Sequence, residues 1–226
     1  MTTNITIFIM NNVMQLEYEK NPQAIEQQSF EIIRSLTTLD DFDHHEQQIA
    51  MRMVHTCGDP HIVKNLRFIC NASQALMNAL KQDTPILCDV EMLASGLSKQ
   101  YVNNSVKCFL NDENTKHQAK ISGESRCMTA VNAWTHYLQN SICAIGNAPT
   151  AAFRLIELIN QTGIKPACIV AIPVGFVGAK ESKQAIHDFC QKEEIPAITL
   201  LGHAGGSAIT AAVINAAARM NWQIYY

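Results

Sequence analysis

Charge is scarce in this chain. Asp, Glu, Lys and Arg together make up 16% of the 226 residues, and the formal net charge is -3. With 17 Lys and Arg against 20 Asp and Glu, there is no clustered positive field of the kind that holds nucleic acid, and no such partner is expected. Long apolar runs are missing too. Nothing approaches the ~20 consecutive apolar residues of a membrane span, and the short stretch Ile5 to Met10 lacks the basic flank and small-residue cleavage site of a targeting signal. The eight cysteines never come closer than 13 residues to one another, which excludes the short-spaced pairs of zinc knuckles and redox motifs. Several sit inside apolar runs, as reduced core cysteines do, and that usage implies a reducing compartment, the cytoplasm. No Pro-, Gly- or Ser-rich linker and no internal repeat interrupts the chain, so a single domain is expected over 1–226.

What the chain does have is a high apolar content, 47%, arranged with two different periods. Apart from an N-terminal extension to residue 16, the first third reads as mostly helical, because Ile25, Phe30, Ile33 and then Ile49, Met53, Val54 recur at three- and four-residue spacing. Pro22 suits the first turn of one helix. Asp40 to Asp43 would cap a second, which Gly58 and Pro60 end, and a third covers about 72–82. From residue 84 onward short apolar, β-branched runs predict five buried strands, at 86–88, 106–110, 142–145, 167–172 and 197–201. Helical patterns separate them, at about 90–97, 125–139, 149–162, 179–192 and 206–219. Alternation of this kind predicts a parallel sheet with helices on both faces, a three-layer α/β/α sandwich.

In such sheets ligands bind at the carboxyl ends of the strands. Three glycine-bearing turns fall there: Gly146-Asn147-Ala148-Pro149-Thr150, the run from Pro173 through Gly175-Phe176-Val177-Gly178 to Ser182-Lys183, and Gly202-His203-Ala204-Gly205-Gly206-Ser207. Glycine lets backbone approach a ligand closely, and helix N-termini with free N–H groups attract carboxylates as readily as phosphates. Taken singly, each turn also reads as ordinary βα geometry. No Walker loop and no G-x-G-x-x-G after a strand is present, so a nucleotide site is not supported. On the second helix Arg52 and His55 stand three residues apart and share a face. His55 lies in the last turn, where the negative end of the helix dipole favours imidazolium, raising the pKa and suiting a proton donor. A plain capping histidine is the alternative from position alone.

Several words in this sequence resemble the precorrin-8X (cobalt-precorrin-8) methylmutases: Ser29-Phe30, Arg52-Met53-Val54-His55, Ile86-Leu87-Cys88-Asp89 with Met92 and Gly96, GNAPTA at 146–151, PVGFVGAKESK at 173–183, and Gly205-Gly206-Ser207 with Asn215. They occur in family order from about Tyr18 to Asn215. The resemblance implies a flavodoxin-like fold, a homodimer with the site near its interface, and an isomerase of cobalamin biosynthesis that moves a methyl group on ring C of a corrin precursor. Such a shift needs neither metal nor redox cofactor. It implies further that His55 is the catalytic proton donor and acceptor, and that Ser29 and Arg52 bind substrate.

Placement in the same loops adds Asp89, Met92, Arg126, Asn147, Thr150, Gly175, Phe176, Val177, Ser182, Lys183, Gly205, Gly206 and Ser207 as substrate-binding candidates. Two positions depart from the family pattern. Ser125-Arg126-Cys127 stands where Thr-Arg-Ser is usual, and His203 stands where the last turn usually has an Arg, losing a fixed bidentate charge. A non-catalytic corrin carrier is the rival function.

Overall fold

The computed structural model describes residues 6–10 and 13–226, with side chains from Tyr18 onward. The elements in chain order are β1 (Thr6–Met10), β2 (Val13–Glu17), α1 (Pro22–Leu36), α2 (His44–Cys57), a 3-10 turn (Pro60–Asn65), β3 (Leu66–Ile69), α3 (Ala72–Lys81), β4 (Ile86–Cys88), α4 (Glu91–Gly96), β5 (Val106–Lys107), α5 (Glu113–Ser122), α6 (Arg126–Val131), a second 3-10 turn (Asn132–His136), β6 (Ile142–Ile145), α7 (Pro149–Thr162), β7 (Cys168–Ala171), α8 (Ala179–Glu193), β8 (Ala197–Leu200) and α9 (Ser207–Asn221). β1 and β2 form an antiparallel hairpin of their own.

The main sheet has the order β3-β8-β7-β6-β4-β5. Its five parallel strands, counted from β4, run 2-1-3-4-5, the flavodoxin-like order, and the order reverses between β4 and β6. The expected five-stranded sheet therefore becomes six-stranded, with β3 antiparallel against β8 at one edge. β3 escaped notice because an edge strand pairs on one side only and tolerates a charge, here Arg67, where a central strand needs an unbroken apolar run. At the other edge β5 covers two residues, not the expected 106–110. The polar helix α5 was also missed, since only Thr115 and Ala119 are buried on it. The long helix expected over 125–139 is α6 followed by a 3-10 turn.

Strand side chains alternate between two cores. Ile86, Cys88, Ala144, Val170 and Ile198 pack with α2, α3, α4 and α9. Leu87, Cys143, Ile145, Ile169 and Ala197 pack with α7, α8 and Trp134 on the opposite face. Four cysteines, Cys88, Cys143, Cys168 and Cys190, are buried, and all eight are free thiols. Burial pushes the Cys143 and Cys190 thiols up to about 12, which makes them inert core residues. Helices α1 and α2 start and stop where their end residues dictate. Asn21 accepts from the N–H groups of Gln23 and Ala24 ahead of Pro22. Asp43 and Glu46 form a capping box, and Gly58 closes α2 in the left-handed conformation. Among the described residues no helix is long and apolar enough to cross a membrane.

Candidate active site

Two groups of candidate residues result. The first surrounds the carboxyl edge of the sheet, at the point where the strand order reverses. Asp89, just beyond β4, is fully buried there and reaches across to the loop after β6. Its Oδ1 accepts from the Gly146 N–H at 3.0 Å, and its Oδ2 from Asn147 and Ala148 at 2.9 Å each. Burial pushes the carboxyl above its ordinary value, while these three donors pull it back down. Asp89 was expected to touch substrate. The structure occupies both its oxygens with backbone, so it shapes the GNAPT turn instead, and the amides of that turn are not free.

Close packing sets the other turns. A Cβ on Gly146 would lie 2.7 Å from the Ser207 Cα, and one on Gly205 would lie 2.4 Å from the Ile172 carbonyl oxygen. Glycine lets the turns converge at the start of α9, and Ser207 is buried there. Gly206 donates to the Ile172 carbonyl at 2.9 Å. The Gly175 carbonyl accepts from His203 Nδ1 at 3.0 Å, and the His203 ring stacks on Phe176 at 5.3 Å. Helices α7, α8 and α9 all lack a side-chain N-cap, whereas α1, α2 and α6 have one. Above them Met92, Phe176 and Val177 are 75%, 87% and 91% exposed. Asn147, Thr150 and Arg126 are exposed at the same edge, and Thr150 Oγ1 lies 2.8 Å from Ser125 Oγ.

Two residues expected to face substrate do not reach the surface. Ser182 is buried and its hydroxyl donates to the Ala179 carbonyl within α8. Lys183 is fully buried, donates to the Ala204 carbonyl at 2.5 Å, and has no carboxylate partner among the described residues. Burial pushes its ammonium down to about 8.

The second group lies on α1, α2 and the end of α9. His55 is exposed in the last turn of α2, its ring stacked on Phe30 at 5.1 Å and 15°. Arg52, one turn earlier, lies 3.6 Å from Glu26, which also pairs with Arg219 at 3.1 Å. Ser29 sits beside Phe30, its hydroxyl returned to the Ile25 carbonyl at 2.8 Å. The expected rise in the His55 pKa is reversed. Partial burial against Phe30 and the nearby Arg52 guanidinium lower it below 6.5, and Glu26 opposes them only in part. Lost solvation comes first and the cation one turn away second, both opposite in sign to what the dipole of a helix end alone would do.

Within one chain the two groups are apart. Arg219 lies twelve residues along α9 from Ser207, about 18 Å of helix. Among the described residues no hydrogen bond, ion pair or ring contact joins one group to the other. An open cavity of about 380 Å³, bordered by Glu26, Phe30, Arg34 and Tyr226, lies against the second group. A larger one, about 610 Å³, sits by the edge strand β3 and contains none of the candidates. Sequence reasoning passed over Glu26, Arg219 and Tyr226. Only the Glu26 position on the Arg52-facing side of α1 carried any signal, because the other two contacts come from distant parts of the chain.

Among the described residues no group of three or more His, Cys, Asp or Glu side chains is arranged to hold a metal ion. Taken together, these features define a doubly wound α/β protein with a glycine-lined sheet edge and, apart from it, an exposed imidazole beside an arginine. The family model described as precorrin-8X methylmutase matches residues 24–220. A precorrin-8X methylmutase from Sinorhizobium sp is 40% identical over 207 residues, covering 91% of this chain and 98% of that protein. A cobalt-precorrin-8 methylmutase from Leptospira interrogans is 36% identical, covering 85% and 90%. A crystal structure of precorrin-8X methylmutase from Thermus thermophilus superposes with a TM-score of 0.80 at 30% identity, covering 89% of this chain and 97% of that one. The chain belongs to the precorrin-8X methylmutase family.

Proposed function

We propose that this protein is an isomerase of cobalamin biosynthesis that converts precorrin-8X to hydrogenobyrinate, or cobalt-precorrin-8 to cobyrinate, by moving a methyl group on ring C. The observation that carries the reading is the exposed His55 imidazole beside Arg52, in a chain matched by the family over 24–220. The substrate is a flat macrocycle edged by carboxylates. Arg52 and Arg126 supply cations for that edge, and α8 and α9 supply uncapped N-terminal amides. Met92, Phe176 and Val177 supply the apolar cover that a ring of this size needs.

His55 gives a proton to a ring nitrogen, which draws electron density from the conjugated system and leaves the methyl-bearing carbon electron-poor. The methyl then shifts to the neighbouring carbon within the bound molecule. The proton returns to His55, and the net change is an isomerisation. A lowered pKa makes fewer molecules protonated at neutral pH but makes each imidazolium a stronger acid.

The separation of the two groups is answered by a homodimer in which the sheet edge of one copy faces the His55 group of the other. Exposed Phe176, Val177 and Met92 on the edge, and Ile25 and Leu36 on α1, support that pairing. Reduced cysteines and the biosynthetic role fit a cytoplasmic location. The test is a visible spectrum: mixing protein with precorrin-8X or cobalt-precorrin-8 should shift the chromophore to that of the rearranged product. Stoichiometric binding without that shift would make it a carrier. Mixed dimers of His55→Ala and Arg126→Ala chains should regain one intact site each, while no recovery would place both residues in the same copy's site.

A further inference from the structure

The tail beyond α9 lies outside the family match, yet it returns to the His55 group. Tyr226 donates its backbone N–H to Gln48 Oε1 at 2.6 Å and accepts at its carbonyl from Arg34. Gln48 is buried in α2, so the tail is tied to the helix that carries Arg52 and His55. The Tyr226 ring stacks on Phe30 at 4.0 Å and 21°, and Phe30 in turn stacks on His55. The Arg219 and Arg52 guanidiniums lie over the same ring, at 4.7 and 5.5 Å. The hydroxyl is buried and has no hydrogen-bond partner among the described residues. Its ring faces, not its oxygen, make the contacts.

Two cations here share one carboxylate, Glu26. An aromatic face is the remaining attractive surface that keeps the second guanidinium from swinging to water. We propose that Tyr226 is a positioning residue for the methylmutase reaction: its ring holds Arg52 ready for a substrate carboxylate and, through Phe30, fixes the plane of His55. This rests on the assignment of His55 and Arg52 above. The advantage is pre-ordering, since an arginine already held in one geometry loses less entropy when the substrate arrives.

The test uses the full chain with Tyr226→Leu and Tyr226→Phe, steady-state kinetics on cobalt-precorrin-8 or precorrin-8X, NMR titration of the His55 ring, and a thermal melt as fold control. Tyr226→Leu should raise KM roughly two- to thirtyfold, the range of a lost cation–π contact. The His55 pKa should also move up, because water reaches the ring and Arg52 is released; Glu26, the other charge that acts on it, is itself paired with Arg219. Tyr226→Phe should recover the lost KM. Should Tyr226→Leu melt below assay temperature, Tyr226→Met carries the same readouts. An unchanged KM and His55 titration in the Leu or Met variant overturns the proposal, as does Tyr226→Phe failing as badly as Leu. His55→Asn run in parallel separates the two claims: wild-type turnover in it would sink the acid assignment, whereas the KM and titration of the Tyr226 variants judge Tyr226 alone.

Discussion

The sheet edge and the helix face with His55 hold their polar groups by opposite means. At the edge the polar groups are backbone, in turns held by Asp89, which takes up three amides, and by glycines that let the turns pack against each other. On the helix face the groups are side chains, Arg52, His55 and Glu26, held by ring stacking and a shared carboxylate. A backbone site fails when the fold loosens. A side-chain site fails when a single group is removed. Substitutions at the edge are therefore expected to read out in stability, and those on the helix face in turnover.

The largest expected effect tests the helix face. His55→Ala should lower kcat by about 10²- to 10⁴-fold with substrate binding retained, the usual share of a general acid; unchanged single-turnover rates would end its role. The pH profile sharpens the same point. If the protonated ring starts the reaction, kcat/KM falls as pH rises through a pKa below 6.5, and Arg52→Ala moves that limb upward by removing the second cause of the shift.

Next comes the edge. Asp89→Ala leaves three buried or half-buried amides without their acceptor, and should cost about 3 kcal/mol in urea unfolding. A stable variant that has lost only substrate affinity would erase the contrast between the two regions. Arg52→Ala is smaller, with affinity for the corrin reduced about tenfold and the urea midpoint nearly unmoved, since its ion pair is partly exposed.

Lys183 is the smallest effect and the most direct challenge, being a side-chain cation inside the backbone-built region. Its folded pKa is about 8 against an ordinary 10.5, so between those values the unfolded chain binds a proton that the native one has released. Stability from this residue therefore rises with pH across that window. Lys183→Met should resist urea at least as well as the parent at pH 7, and its advantage should shrink by pH 10. An advantage independent of pH would mean the ammonium is not what burial penalises.

Much of the fold was legible because local patterns and tertiary environment agreed. Uncharged β-branched runs became central strands, and Pro22, Asp43 and Gly58 bounded helices where their chemistry required. Elements with weak patterns were lost: β3, an edge strand with Arg67 in it, and α5, with two buried residues. In the candidate site, His55 and Phe176 are exposed, whereas Asp89, Ser182 and Lys183, expected on the substrate side, face inward. Nothing in a linear string distinguishes a polar residue at a strand end that meets ligand from one that meets backbone.

By itself the sequence determined the alternation of strand and helix, the order of the glycine turns and the family, since these depend on neighbours a few residues apart and on long matching words. Only the tertiary structure decided that Asp89 is spent on three amides, that burial and then Arg52 lower the His55 pKa, and that Tyr226 lies against α2 from 178 residues beyond Gln48. Those outcomes come from burial and charge brought together across the chain, and no local pattern encodes the distance at which such groups finally stand.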